Sequence, residues 1–161
     1  MALTIKLCQV IRQSHLDIGV EPMTSLANEI RLTRTIQAPS SRVYAAFTRA
    51  EGWCEWCCEK AEADASIEGR LHIYTEGYNA YGEFTELERD KLIAFTWDGD
   101  GEPPTHIHVM LNRQDDSTLM TFKVAILDAE KDWGSFADFL ERTWGRALDN
   151  LKIVLECNPE I

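Results

Sequence analysis

The chain has 161 residues, a formal charge of −11 and an apolar content of 45%. A chain of this length buries about 70% of the surface it would expose when unfolded, so one core can form without disulfides or a structural metal. Its 16 basic residues stand against 27 acidic ones, with no basic run, which excludes the clustered Lys and Arg that bind nucleic acid or anionic membranes.

No apolar run approaches the ~18 residues that suggest a membrane-spanning helix, and membrane insertion is not expected. The opening MALTIKLCQV lacks the charged stretch and long apolar core of a signal peptide. A cytoplasmic location is therefore expected, with the five cysteines reduced. An odd number of cysteines also leaves no complete disulfide framework.

Residues 1–26 read as an N-terminal extension. Leu3, Ile5 and Leu7 alternate like a strand, but Gln13, Ser14, His15, Asp17 and Gly19 break the pattern. An added edge strand is the alternative. From Glu29 to Ile36, the apolar Ile30, Leu32 and Ile36 alternate with polar neighbours, the period of a half-buried strand. Arg34 shares their phase. It either turns inward to a carboxylate such as Glu86 or reaches out at the strand end, since a lone buried charge is costly.

Ala38-Pro39 ends this strand, and Pro39 suits the first turn of a helix because its missing N–H needs no partner there. Val43 and Phe47 lie four apart on one helical face, and a second short helix is expected over Ala50 to Trp56. Strands are then expected over Leu71–Thr75, Ala80–Leu87, Leu92–Trp97, His106–Asn112 and Thr118–Leu127. Short turns such as Arg89-Asp90 and Asp115-Asp116 join them into an antiparallel meander.

The last element carries the clearest pattern. Trp133, Phe136, Ala137, Leu140, Trp144, Ala147, Leu148, Leu151, Val154 and Leu155 recur every three or four residues, one wide apolar stripe on a long helix. Asn158 and Pro159 supply the stop. The apolar face of the sheet and the stripe of the helix must cover each other. The expected class is therefore α+β: a curved antiparallel sheet wrapped around a long C-terminal helix, with two short helices after the first strand.

This order resembles the helix-grip fold of the START-like, or Bet v-like, superfamily (SRPBCC). Ala38-Pro39, Val43-Tyr44, Phe47-Thr48, Glu51 and Trp56 are similar to the AHSA-type family, the homologues of the activator of heat-shock-protein-ninety ATPase. Gly82-Glu83-Phe84, Leu92, Phe95-Thr96-Trp97, Thr118-Leu119-Met120-Thr121 and the spacing of Trp144, Leu148 and Leu151 continue the likeness. Two positions depart from it: the usual Gly-Gly before the second strand reads Glu68-Gly69, and a His frequent in the family is replaced by Val124. The resemblance implies a helix-grip domain over residues 27–157, with 158–161 as a tail.

Several stretches invite chemistry. Cys54 and Cys57 have C-x-x-C spacing, yet no second pair supplies the other two ligands of a zinc site, and Trp53 and Trp56 beside them suggest packing. His106 and His108 alternate with Ile107, Val109 and Leu111, which puts both imidazoles on the outer face. Glu83, Glu86 and Glu88 read as a solvated strand face, and Asp98-Gly99-Asp100-Gly101 as a turn-rich loop lacking the ligand spacing of a calcium site. No catalytic, metal or cofactor site is assigned.

Two functions lead, with enzymatic activity third for want of a recognisable catalytic group. The first is non-catalytic binding of a small apolar or aromatic molecule in a cavity between sheet and helix, lined by Phe84, Phe95, Trp97, Met120, Phe122, Phe136, Leu140 and Trp144. The second, implied by the family, is a protein-interaction module related to chaperone ATPase activators, with a chaperone or other protein as partner. In that case the same side chains fill the core.

Overall fold

The computed structural model describes residues 29–127 and 133–157. The expected extension and tail lie outside the described residues. Strand β1 (Glu29–Ile36) leads into helices α1 (Ser40–Thr48) and α2 (Ala50–Trp56). Strands β2 (Lys60–Ala63), β3 (Arg70–Thr75), β4 (Tyr78–Glu88), β5 (Leu92–Gly99), β6 (Thr105–Gln114) and β7 (Ser117–Ile126) follow, and α3 (Trp133–Cys157) ends the described chain. The strands form one antiparallel sheet in the order β1-β7-β6-β5-β4-β3-β2. Each strand from β2 to β7 thus pairs with its neighbour in sequence, and β1 closes onto β7.

The expected α+β helix-grip architecture is present, with one strand more than the periodicity revealed. Strand β2 has only four residues, Lys-Ala-Glu-Ala, none of them fully buried. An edge strand pairing on one side needs little apolar alternation, so its sequence carries little signal. Strands β5 and β6 also run further than expected, to Gly99 and from Thr105 to Gln114.

Alternation along the strands sorts the two faces. Ile107, Val109 and Leu111 of β6 are buried, as are Met120, Phe122 and Val124 of β7. In β4 the alternation is interrupted: Phe84 pairs with Phe95, but Glu86 pairs with Ala94, which leaves Thr85 as an extra residue in a β-bulge. The bulge turns Leu87 inward opposite Ile93 and leaves Glu86 and Glu88 in solvent.

The α3 stripe meets this inner face with Leu140, Trp144, Ala147, Leu148, Leu151 and Leu155 buried, and with Phe139 and Thr143 added to the set expected. Helix α2 presses closely on α1. A side chain on Gly52 would collide with the carbonyl of Ala45. Trp53 and Trp56 give their indole N–H groups to the carbonyls of Phe47 and Ala46, at 2.9 and 3.1 Å. Burying side chains this large stabilises the fold by roughly 1.5–3 kcal/mol each.

Arg34 turns toward α3, where its Nε meets Asp149 Oδ1 at 2.7 Å and its Nη2 meets the Gly145 carbonyl at 3.1 Å. Its carboxylate is therefore Asp149 and not Glu86, because the bulge places Glu86 on the outer face, 3.9 Å from His108. Glu68 has φ 70°, a left-handed conformation that glycine adopts without strain. Glu68 thus adopts a backbone conformation that would suit glycine at this position.

Candidate functional site

The eight residues expected to line a cavity lie along one path between sheet and helix. Phe84, Phe95, Trp97, Met120, Phe122, Leu140 and Trp144 are buried and Phe136 is half-buried. Their rings touch: Trp144 lies 5.1 Å from Trp97 and 5.0 Å from Phe122, centroid to centroid. Phe95 bridges Trp97 and Phe84 at 6.3 and 6.2 Å. Phe47, Trp53 and Trp56 join the same cluster, with Trp53 5.8 Å from Phe95 and Phe47 6.3 Å from Phe122. The rings of α1 and α2 therefore back the sheet residues directly. Their i, i+4 and i, i+3 spacing marked them as packing residues, but nothing in it indicated which strand they would reach.

At Trp97 this apolar interior meets a short polar chain. The Trp97 indole N–H donates to the Tyr78 hydroxyl at 3.3 Å, and the Tyr78 hydroxyl donates to Glu102 Oε2 at 3.0 Å. Tyr78 begins β4, Trp97 lies near the end of β5, and Glu102 follows in the β5–β6 loop. That loop is tied down by Glu102 N–H to the Gly99 carbonyl at 3.0 Å and by Asp100 N–H to the Asn79 carbonyl at 3.0 Å. A side chain at Gly99 would strike the Tyr78 hydroxyl, so the glycine leaves room for the pair.

Burial pushes the Glu102 carboxyl up to about 7, against the lowering effect of the Tyr78 and Trp97 hydrogen bonds. Burial and the neighbouring Glu102 likewise hold the Tyr78 phenol well above its ordinary range. The chain can present a donor or an acceptor at its Glu102 end, according to the protonation of that carboxyl. Tyr78 and Glu102 were not identified from the sequence. The only signal was a Glu set against Pro103-Pro104 in an otherwise turn-like segment.

The other stretches sort plainly. His106 and His108 lie on the outer face, their rings 4.6 Å apart, and His106 Nε2 pairs with Thr85 Oγ1 at 2.9 Å. Burial, then the neighbouring His108, lowers the His106 pKa. Cys57 is buried, and the thiol that approaches Cys54 is Cys58, at 3.9 Å. Glu83, Glu86 and Glu88 are exposed. Asp100 binds the Asn79 N–H through its carboxylate at 2.9 Å and serves the loop. Among the described residues no group of three His, Cys, Asp or Glu side chains could hold a metal ion, and no helix is long and apolar enough to cross a membrane.

Fold and site together define a helix-grip α+β domain whose aromatic interior ends in an indole–phenol–carboxyl chain, buried at Trp97 and Tyr78 and half-buried at Glu102. The family model described as "Activator of Hsp90 ATPase homolog 1-like protein" matches residues 37–156, and the chain belongs to that family. Solved structures agree on the fold. Protein NE0264 from Nitrosomonas europaea superposes with a TM-score of 0.70 at 16% identity, over 84% of this chain and 98% of its own. The Aha1 dimer from Colwellia psychrerythraea gives 0.66 at 20% identity, over 81% and 97%. PFC0360w, an HSP90 activator from Plasmodium falciparum, gives 0.65 at 17% identity, over 80% and 96%. No curated protein sequence matches the chain significantly.

Proposed function

We propose that the domain binds a small apolar or aromatic molecule carrying one hydrogen-bonding group, at the end of the interior where Trp97, Tyr78 and Glu102 meet. The observation that carries this reading is the Tyr78–Glu102 pair itself, a phenol and a carboxyl 3.0 Å apart against an otherwise apolar wall. Small-molecule sites are mostly apolar, with a few placed polar groups that fix orientation. Trp97 and Trp144 form one wall, and Leu140 and Phe136 continue it on successive turns of α3. Phe84, Phe95, Met120 and Phe122 support the wall from behind.

A panel of fatty acids, isoprenoids and aromatics, each with and without a hydroxyl or amine, tests the proposal by thermal shift and calorimetry. A ligand at a hundredfold excess over its dissociation constant adds about 2.7 kcal/mol of stability. Tyr78→Phe and Glu102→Gln should weaken the polar members of the panel by roughly tenfold or more and leave the purely apolar ones unchanged. Silence of the native protein toward the whole panel would overturn the reading.

A second reading is favoured by the ring packing. Phe47, Trp53, Phe95, Trp97, Trp144 and Phe122 touch in sequence, which is how a filled core is built. The domain would then act through its acidic surface as a protein-interaction module, in keeping with the family and with the HSP90-activator neighbour. Stimulation of an Hsp90-class ATPase, together with no response to the ligand panel, selects this alternative.

A further inference from the structure

The sequence offers Cys54 and Cys57 as its C-x-x-C pair, but the fold brings a different pair together. Helix α2 closes with the N–H groups of Cys57 and Cys58 both directed at the Trp53 carbonyl, at 2.9 and 3.3 Å. This winds Cys58 back beneath the last turn, and its Sγ lies 3.9 Å from Cys54 Sγ. Glu59 is fixed next, its N–H bonded to the Tyr74 carbonyl at 3.1 Å at the start of the edge hairpin. Two thiols are thus held side by side by main-chain hydrogen bonds on either side.

Their surroundings differ. Cys58 is buried, whereas Cys54 is half-buried and opens onto a surface groove of about 820 Å³. Glu51, Glu55, Lys60 and Tyr74 also line that groove. The Cys54 thiol lies 3.6 Å from the Glu59 carbonyl and donates to it. The Cys58 thiol can then donate to Cys54 Sγ. Burial, then the Cys57 and Cys54 thiols, hold Cys58 well above the ordinary thiol range. The pair therefore has an accessible member and a protonated, sheltered one.

We propose that Cys54 and Cys58 form an oxidisable thiol pair, in which a hydroperoxide arriving by the groove drives formation of a Cys54–Cys58 disulfide. The Cys54 thiol gives up its proton as its sulfur attacks the terminal peroxide oxygen; the O–O bond breaks, and the alkoxide takes that proton and leaves as the alcohol. Cys54 is now a sulfenic acid. Cys58 attacks that sulfur, the S–O bond breaks, and the hydroxide leaves as water with the proton from Cys58. Two thiols and one hydroperoxide thus give one disulfide, one alcohol and one water. The sulfurs must close by about 2 Å to reach disulfide length, which a rotation of the half-exposed Cys54 side chain supplies. The link would tether α2 to the residue before Glu59, on the buried side of the groove-lining Cys54.

The test uses the reduced full-length chain, treated with tert-butyl hydroperoxide, quenched with an alkylating agent and mapped by mass spectrometry. The expected product has lost two hydrogens within the peptide spanning residues 50–60, keeps alkylated Cys157 and reverts with dithiothreitol. Cys54→Ser and Cys58→Ser should each abolish the loss, while Cys57→Ser should still form the link and Cys157→Ser should form it at an unchanged rate. Circular dichroism of each variant separates a missing link from a missing fold. Loss of the link in Cys57→Ser, a link involving Cys157, or progression of Cys54 to sulfinic acid in the native chain would overturn the proposal.

Discussion

The indole N–H groups of Trp53, Trp56 and Trp97 end in two different ways. Trp53 and Trp56 pass their indole N–H groups to main-chain carbonyls of α1, whereas Trp97 passes its own to a side chain, and that side chain to a carboxyl. A main-chain acceptor is fixed by the helix that contains it and does not titrate. The Trp97 chain ends in a group that changes charge near neutrality. Both arrangements satisfy a buried donor at comparable distance, but only the second ends in a group that titrates. The proposed binding function rests on the β5 half of this contrast, and the α2 half is its fixed counterpart.

The sharpest way to break this contrast is Trp53→Ala. Trp53 has no exposed surface and packs on Phe47, Trp56, Phe95 and Trp97. Its removal should cost about 3–5 kcal/mol in denaturant unfolding, with no change in the pH dependence of what stability remains.

The next effect is electrostatic. The Glu102 carboxyl titrates near 7 in the folded chain against about 4.5 when unperturbed. Between those values the folded state holds a proton that the unfolded state has released. Its stabilising contribution is full below pH 4.5 and is lost as pH rises to 7. Unfolding measured across this window should show a decline of roughly 1–3 kcal/mol that Glu102→Gln flattens. An unchanged slope in the variant would assign the effect to another group.

The smallest effect is that of Tyr78→Phe. It removes the middle of the chain and should cost about 1–2 kcal/mol, because the indole N–H loses its acceptor. A neutral result would mean that Glu102 accepts directly from Trp97, and the two ends of the contrast would then differ by one link fewer.

Much of the fold was legible because each long element repeats its own period: two along β6 and β7, three to four along α3. What escaped was set by distant neighbours. Strand β2 exists because β3 offers it an edge, and four residues of mixed character cannot announce that. The aromatic residues of the interior were visible by type and phase, since bulky side chains at inward positions have nowhere else to go. Tyr78 and Glu102 were not, because their meeting depends on a loop folding back over Gly99. Likewise C-x-x-C spacing pointed to Cys57, while the closing turn of α2 presents Cys58. Local pattern reports the face a residue occupies, and only the tertiary path reports its partner.

The bulge at Thr85 has a consequence for chain length. In a strand of strict alternation every residue is locked to one face, so a single insertion or deletion exchanges inside and outside for all that follows. Here the extra residue already absorbs one such step. Without the bulge, an unbroken β4 of the same sequence would carry the carboxylates of Glu86 and Glu88 into the core beyond Phe84. Removing Thr85 would instead restore regular pairing with Phe84 and Leu87 still inward. The bulge, held by the contact of Thr85 with His106, acts as a spacer that keeps the two ends of β4 in phase with the interior. It marks the place in this strand where a one-residue deletion preserves which side chains face the core.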